Sequence, residues 1–214
     1  MLLRPRQKLF VERSLAALSI HHNTLGVAPT AAGKTIMLSA VAGEMIATSS
    51  AKACILAHRD ELIDQNKTKF ARVNPQVPSS IVDATEKSWG GQAVFAMVPT
   101  LSRAGNLDDM PALDLLVIDE AHHAVADTYR RIIDRASQLN PNVKIFGVTA
   151  TPNRGDKHGL RDVELVDRVP DRPGVVVASS PLSRGVIIPE ARLAVLAEPD
   201  ITGRRVPHRP ARPQ

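Results

Sequence analysis

The 214-residue sequence predicts an α/β fold in which helices cover both faces of a mostly parallel sheet. Short apolar runs alternate along the chain with longer segments of helical periodicity, which is the pattern of strand–helix–strand units. The strand-like runs are apolar throughout, as is typical of strands that are buried on both faces of a parallel sheet. Ligands of such sheets bind beyond the carboxyl ends of the strands, so a site is expected in the segments that follow them.

The first predicted element is an amphipathic helix at 5–20, whose apolar positions include Leu9, Val11, Leu15 and Leu18. Five later runs have the composition of buried strands, namely 24–28, 53–58, 93–98, 113–120 and 143–150. Helical segments separate them at 34–47, 60–71 and 127–139, with a short helical turn after 98. Asp127 is the predicted N-cap of the last helix, and 192–198 is predicted to be one further strand.

Composition limits the class of protein. Hydrophobic residues make up 43% and charged residues 23%, which is typical of a globular chain and excludes general disorder. The single cysteine, Cys54, lies in a predicted strand and is expected to be an inert buried thiol in a reducing compartment. No apolar run is long enough to span a bilayer, so we expect a cytoplasmic protein without a membrane partner.

The basic charge is concentrated at one end of the chain. The formal net charge is +5, and residues 203–214 hold four arginines and no acidic residue. The remaining sequence is close to neutral, so the basic character alone is weak evidence for nucleic-acid binding. Trp89, which precedes two glycines, is expected to anchor a loop on the sheet, with base stacking as the alternative.

Residues 28–35, APTAAGKT, follow a predicted strand directly and precede a predicted helix. The segment, here called the phosphate loop, resembles the pattern G-x-x-x-x-G-K-[ST] with Ala28 in place of the first glycine. Lys34 can reach the β- and γ-phosphates of a nucleotide, and the Thr35 hydroxyl can coordinate Mg²⁺. The predicted phosphate-binding turn runs through Pro29, Thr30, Ala31, Ala32 and Gly33, and its backbone N–H groups would come from the four residues that follow the proline.

One position departs from the usual loop. Ala31 stands where many phosphate loops carry a second glycine, and if that position requires a positive φ, alanine costs roughly 1 kcal/mol or more. Such a cost would weaken nucleotide binding without abolishing it. The alternative to a phosphate loop is an ordinary Ala/Gly-rich turn before a helix.

The predicted strand at 113–120 delivers two acids, Asp119 and Glu120, to the same sheet edge as the phosphate loop. Asp119 suits Mg²⁺ binding, directly or through water, and Glu120 suits the orientation and deprotonation of an attacking water. The alternative is a surface acid pair that caps the next helix. His122 and His123 follow, but no cysteine or acidic cluster completes a metal site with them, so we do not expect them to bind a metal.

The phosphate loop and the run Asp119–Glu120–Ala121–His122 together resemble the motifs of superfamily 2 helicases and translocases. Further motifs of that superfamily fit in the expected order: LRPRQ (3–7), ILAHRDELIDQ (55–65), VPTL (98–101), GVTATP (147–152) and NRGDKHGL (153–160). The branch that they resemble most acts on DNA and includes restriction-enzyme translocase subunits and excision-repair helicases.

This resemblance implies a RecA-like P-loop NTPase sheet that uses ATP and Mg²⁺. It implies that Gln7 contacts the adenine edge and that Lys34, Asp119 and Glu120 form the catalytic centre. The residues implied in nucleic-acid contact or in coupling are His58, Arg59, Thr100, Thr149 and Thr151. For His58 and Arg59, a contact with backbone phosphates and a structural role in the loop remain equally open.

The resemblance also sets the expected domain organisation. Residues 1–160 correspond to the first of two tandem RecA-like domains, 161–198 to a divergent segment related to the inter-domain region, and 199–214 to a Pro/Arg-rich flexible tail. Superfamily members place ATP between the two domains, and no Q-x-x-G-R-x-x-R pattern for the arginine finger is found here. We therefore expect a truncated or split gene, bacterial or phage-encoded, with the second domain missing or on a separate chain.

The leading functional prediction is the ATP-binding and ATP-hydrolysing N-terminal half of a DNA helicase or translocase, weakly active alone. Its expected partner is double-stranded or partly single-stranded DNA. One alternative is a non-catalytic module, either a nucleotide- or DNA-binding remnant or the partner half of a split enzyme. A second alternative is an RNA helicase.

Overall fold

The computed structural model describes residues 2–29, 31–47, 50–124 and 126–150, together with the backbone of 177–180 and 193–195. The predictions for Thr30 and Thr151 lie outside the described residues, as does the predicted tail at 199–214. Most of the predicted divergent segment, 161–198, lies outside them as well.

Six parallel strands form the body of the sheet: β1 (Asn23–Val27), β2 (Ala53–Ala57), β3 (Ser79–Val82), β4 (Ala93–Met97), β5 (Leu115–Asp119) and β6 (Lys144–Thr149). Two short strands follow, β7 (Val177–Ser180) and β8 (Leu193–Val195). The helices are α1 (Pro5–Ile20), α2 (Lys34–Ile46), α3 (Asp60–Val73), α4 (Val98–Leu101), α5 (Ala104–Asp108) and α6 (Asp127–Leu139). A 3-10 turn, Ala121–His123, follows β5.

The strand order is β3-β4-β2-β5-β6-β1, and the far side of β1 pairs with β7 in the antiparallel and β8 in the parallel sense. The predicted mostly parallel sheet is therefore confirmed. Val27 pairs with Thr149, and Val148 pairs with Asp119. This register puts the ends of β1, β6 and β5 side by side at one edge, where the phosphate loop and the acidic strand end lie.

The two faces of the sheet carry separate cores, as the apolar strands predict. Leu115 and Val117 of β5 face one core, and Leu116 and Ile118 face the other. Helices α1, α2 and α3 pack on the first face, whereas α4, α5 and α6 pack on the second. Cys54 is fully buried, which confirms the prediction of a buried thiol, and burial raises its pKa.

The helix predictions at 5–20 and 127–139 match α1 and α6 at both ends. The predicted N-cap of α6 is wrong: Ala126 is the N-cap, and Asp127 is the first helical residue. The Ala126 carbonyl already accepts the N–H groups of Tyr129 and Arg130, so the helix starts one residue earlier than an Asp127 cap requires. Asp127 then stabilises the first turn through the helix dipole.

Two other expectations concern single segments. Trp89 is half-buried against the second core, and its carbonyl accepts a hydrogen bond from Lys52 Nζ, which confirms the loop anchor. Strand β8 falls inside the predicted strand at 192–198. Strand β3 and helix α5 were not predicted. Among the described residues, no helix has both the length and the apolar character needed to cross a bilayer.

Gly26 of β1 lies directly beneath the ring of Phe10, and a Cβ at this position would contact Phe10 Cζ and lie 2.9 Å from Cε2. The ring is fully buried and packs against Phe146, so it has little room to move. We expect Gly26→Ala to lower the free energy of unfolding by about 1–3 kcal/mol through overpacking. Thermal melting followed by circular dichroism measures this effect, at roughly 2–4 °C per kcal/mol.

Gly105 of α5 provides the matched control, because a Cβ there would meet nothing within 4 Å. We expect Gly105→Ala to leave stability unchanged or to raise it by up to about 1 kcal/mol, since alanine favours helix. Equal melting temperatures for Gly26→Ala and the wild type would contradict the tight packing of α1 on β1.

Candidate functional site

The phosphate loop leaves the end of β1 and enters α2 through a left-handed turn. Gly33, the N-cap of α2, has φ 86° and ψ 37°, a conformation that glycine adopts without strain. Within the described part of the chain, no side chain caps this helix, so its first N–H groups are available to an anion. Lys34 and Thr35 are in the first turn of α2. At the start of the phosphate loop, the Ala28 N–H donates to the Thr149 carbonyl of β6.

Ala31 has φ 67°, so the position does require the left-handed conformation on which the sequence prediction depended. Among the residues that the structure describes, Ala31 and Glu120 are the only non-glycine residues with a positive φ. For an alanine this conformation costs roughly 1–2 kcal/mol. The phosphate loop therefore stores strain at one residue.

We expect Ala31→Gly to raise the free energy of unfolding, by up to about 1 kcal/mol. Glycine removes the strain of roughly 1–2 kcal/mol but adds about 0.4–1 kcal/mol of unfolded-state entropy. Ala32→Gly is the matched control in the same loop, because Ala32 has an ordinary negative φ and should lose stability on the same substitution. Denaturant unfolding of both variants measures the signs, and a loss of stability in Ala31→Gly contradicts the strain.

Gln7 of α1 reaches the phosphate loop. Its Nε2 donates to the Ala32 carbonyl at 3.0 Å, and its Oε1 accepts from the Arg4 N–H at 3.0 Å. A Cβ at Gly33 would lie 2.5 Å from Gln7 Nε2 and would displace the end of this flexible side chain, whereas the positive φ of Gly33 favours glycine directly. The structure thus places Gln7 on the loop, and its contact with adenine stays a prediction.

Asp119 is the last residue of β5, and Glu120 turns the chain away from the sheet with φ 53° and ψ 54°. This turn brings the Glu120 carboxylate to the phosphate loop, where its Oε1 lies 3.5 Å from Lys34 Nζ. The Lys34 side chain is only 13% exposed, so the ion pair is partly shielded from water. The structure therefore brings together the three residues predicted for the catalytic centre.

The Asp119 carboxylate is buried and accepts two hydrogen bonds. Its Oδ1 accepts from the Glu120 N–H at 3.0 Å, and its Oδ2 accepts from Asn66 Nδ2 at 3.2 Å. Burial raises the pKa of Asp119, and the neighbouring Glu120 charge adds to the rise, whereas the Asn66 hydrogen bond and the Lys34 charge oppose it. Two carboxylates face one ammonium group here, so a divalent cation held by Asp119 with the Thr35 hydroxyl fits the chemistry of these donors.

His122 joins the acidic strand end to β6. Its Nδ1 lies 3.3 Å from Glu120 Oε2 and 3.1 Å from Thr149 Oγ1. Thr149 is fully buried, and its carbonyl accepts from the Ala28 N–H at the start of the phosphate loop. A continuous chain of polar contacts thus runs from Lys34 through Glu120 and His122 to Thr149.

His58 and Arg59 follow β2 and are exposed. They line a cavity of about 660 Å³ that Asp119, Glu120 and other residues of the acidic strand end also line. The His58 ring stacks on His123, with ring centroids 5.5 Å apart, so His58 also has a structural contact. Whether these two residues bind phosphates stays a prediction.

The buried ring of Tyr129 lies behind the acidic strand end. Tyr129 of α6 stacks on His58, with centroids 6.5 Å apart, and burial raises the pKa of its hydroxyl, as do the charges of Asp119 and Glu120. Thr100 lies in α4 and is buried, as Thr149 is, with only 2% of its surface exposed. Its role in nucleic-acid contact or in coupling stays a prediction.

Asn66 and the position of His122 are the features that sequence reasoning missed. Asn66 lies 53 residues before Asp119 and contributes the buried hydrogen bond to it. A signal existed in the sequence, since Asn66 occupies a core-facing position of a helix whose other core-facing positions are apolar. His122 belongs to the helicase-like run and is not expected to bind a metal, and its contacts with Glu120 and Thr149 were not predicted.

The phosphate loop follows β1, contains left-handed residues and ends in a lysine at the start of a helix. The acidic end of β5, a parallel strand separated from β1 by β6, lies at the same sheet edge. Together these features define a P-loop nucleotide-binding protein with a RecA-like sheet. Within that class, the chain belongs to the ResIII family, described as type III restriction enzyme, res subunit, which matches residues 1–154. The predicted resemblance to superfamily 2 helicases is confirmed.

Relatives and solved structures agree with this family. The "Putative ATP-dependent helicase IRC3" of Saccharomyces cerevisiae is 30% identical over 159 residues, or 69% of this chain and 22% of that protein. The ATP-dependent DNA helicase mph1 of Neurospora crassa is 28% identical over 163 residues, or 70% of this chain and 14% of that protein. The Hef helicase domain of Pyrococcus furiosus superposes with a TM-score of 0.60 at 23% identity, over 70% of this chain and 34% of that one, which shows the shared fold.

The chain is thus homologous to the N-terminal domain of ATP-dependent helicases. It spans about a fifth and about a seventh of the length of the two curated relatives that it matches.

Proposed function

We propose that this chain binds Mg·ATP at the phosphate loop and forms the ATP-hydrolysing first RecA-like domain of a DNA helicase or translocase. The observation that carries the proposal is the 3.5 Å approach of Lys34 Nζ to Glu120 Oε1, which joins the phosphate loop to the acidic strand end. The names of the relatives support it, since they describe ATP-dependent helicases, including a DNA helicase.

Binding begins with an exchange of partners at Lys34. The ammonium group leaves Glu120 and binds the β- and γ-phosphates, while the N–H groups at the start of α2 bind the same anion. Asp119 and Thr35 would hold Mg²⁺. Bound Mg²⁺ neutralises the negative charge that develops on the phosphates.

Hydrolysis then depends on Glu120, because the loss of its ion pair with Lys34 frees the carboxylate. Glu120 orients a water molecule opposite the leaving group and accepts its proton. A movement of the Glu120 carboxylate would alter its contact with His122, because Glu120 Oε2 lies 3.3 Å from His122 Nδ1. The same nitrogen contacts Thr149 Oγ1. The coupling between the nucleotide and the nucleic acid is proposed to pass through Thr149, at the end of β6.

DNA is the proposed partner, with His58 and Arg59 as contacts beside the same cavity. A second RecA-like domain, on this polypeptide or on a separate one, would close over the nucleotide and supply the transition-state arginine. In phosphoryl-transfer enzymes such an arginine contributes about 10³–10⁵ in rate, so slow turnover is expected without it.

Phosphate release from ATP by the 214-residue chain, measured with double-stranded DNA, single-stranded DNA, RNA or no nucleic acid, tests the proposed function. We expect slow turnover that DNA stimulates. Stimulation by RNA alone would overturn DNA as the partner and favour an RNA helicase. Nucleotide binding without turnover under every condition would overturn the enzymatic proposal and favour the non-catalytic module.

A further inference from the structure

Helix α3 carries an amide where its neighbours are apolar. Ile63, Asn66 and Phe70 follow one another at spacings of three and four, and each is at most 2% exposed, so all three face the core. A buried side-chain amide that lacks a hydrogen bond costs about 1–3 kcal/mol. Asn66 is therefore a polar residue at a buried position where an apolar side chain such as leucine would be sufficient for packing.

The partner of this amide lies in the candidate site. Asn66 Nδ2 donates to Asp119 Oδ2 at 3.2 Å, and the Glu120 N–H donates to Asp119 Oδ1 at 3.0 Å. The torsion that rotates a carboxylate is soft and broadly distributed, so one hydrogen bond does not define its orientation. Two donors, one on each oxygen and from different elements, do define it.

We propose that Asn66 is a positioning residue that holds the Asp119 carboxylate in the orientation in which it binds the Mg²⁺ of Mg·ATP. This inference depends on the proposed function, because it assigns a metal to Asp119. Each carboxylate oxygen can accept more than one interaction, so the hydrogen bonds from Asn66 and Glu120 leave Asp119 free to bind a cation. Outer hydrogen bonds of this kind typically account for about 10–100-fold in metal affinity.

The test compares nucleotide binding with and without the metal. ATPγS is titrated into the wild type and into Asn66→Ala, first in EDTA and then over a range of Mg²⁺ concentrations. We expect the two proteins to bind metal-free ATPγS equally, since Asn66 contributes no group to the phosphate loop. The Mg²⁺ concentration for half-maximal enhancement should rise about 10-fold to 100-fold in Asn66→Ala.

A second readout does not require the nucleotide. Mn²⁺, followed by electron paramagnetic resonance, reports binding of the metal alone to the folded chain. We expect its affinity to fall in Asn66→Ala by a comparable factor.

Asn74 provides the matched control on the same helix. It is buried, follows α3 as its C-cap and donates Nδ2 to the Ser39 carbonyl at 2.8 Å. Asn74→Ala removes a comparable buried hydrogen bond that Asp119 does not share, so it should lower stability and leave the Mg²⁺ dependence unchanged. Circular dichroism checks that each variant is folded, and Asn66→Ser, whose hydroxyl is too short to replace the amide, is used if Asn66→Ala does not fold.

The outcomes separate this inference from the proposed function. If the wild type and Asn66→Ala bind ATPγS with the same dependence on Mg²⁺, the role of Asn66 is overturned and the proposed function stands. An equal loss in Asn66→Ala and Asn74→Ala would overturn it too, because it would indicate a general structural effect. Wild type with no Mg²⁺-dependent binding would overturn both proposals.

Discussion

Replacing Lys34 with alanine is expected to weaken ATP binding by about 30-fold to several-thousand-fold. The ammonium group lies 3.5 Å from Glu120 Oε1, and the Lys34 side chain is 13% exposed. Removal of one partner from a buried or partly buried charge pair costs about 2–5 kcal/mol, and each 1.4 kcal/mol is a factor of ten in Kd. The variant would also leave Asp119 and Glu120 facing the phosphates without a compensating charge.

Fluorescence titration with an ATP analogue measures this change in Kd. Lys8→Ala is the control, because Lys8 is a surface lysine of α1 with 71% of its side chain exposed, and it forms an ion pair with Glu12 rather than with the acidic strand end. Its Kd should equal that of the wild type. Equal affinities for Lys34→Ala and the wild type would show that the nucleotide, if bound, lies elsewhere.

Glu120→Gln is expected to reduce the rate of ATP hydrolysis by about 10²–10⁴-fold, the usual contribution of a general base. Binding of ATP should be retained or strengthened, since the substitution removes a negative charge beside the phosphates and releases Lys34 from its ion pair. Glutamine has nearly the same size, so the local packing should be preserved. Single-turnover hydrolysis and equilibrium binding together separate these two effects.

Glu61→Gln is the control for this substitution. Glu61 lines the same cavity as Glu120 but is exposed, and it is not part of the chain of contacts from Lys34 to Thr149. Its rate should match the wild type. A Glu120→Gln variant that hydrolyses ATP at the wild-type rate would assign the base to another residue.

The local parts of this structure could be predicted because their signals are local. Helix α1 has the expected apolar period and a proline in its first turn, and both of its ends were predicted. The strands that are buried on both faces were predicted from uninterrupted apolar runs. Strand β3 was missed because it contains two serines and only four residues, which is too short for an apolar run to stand out.

The candidate site likewise has residues that could be predicted from local motifs and a backbone feature that could not. Lys34, Asp119 and Glu120 belong to short motifs with a known chemistry, so their meeting at one sheet edge could be predicted from strand ends. The conditional prediction of strain at Ala31 depended on one backbone angle, which only the structure provides.

The contacts that sequence reasoning missed are non-local. Asn66 reaches Asp119 because α3 packs beside the end of β5, 53 residues later. His122 reaches Thr149 because β5 and β6 are neighbours in the sheet, which follows from the strand order and not from any motif. No pattern in the sequence specifies which helix covers which strand end.

Calorimetric titration of the wild-type chain with ATPγS, in the presence and absence of Mg²⁺, tests most directly whether the phosphate loop and the acidic strand end form a nucleotide site. We expect one nucleotide per chain, bound more tightly when Mg²⁺ is present. A chain that melts cooperatively, and is therefore folded, but binds no nucleotide under either condition would contradict the site.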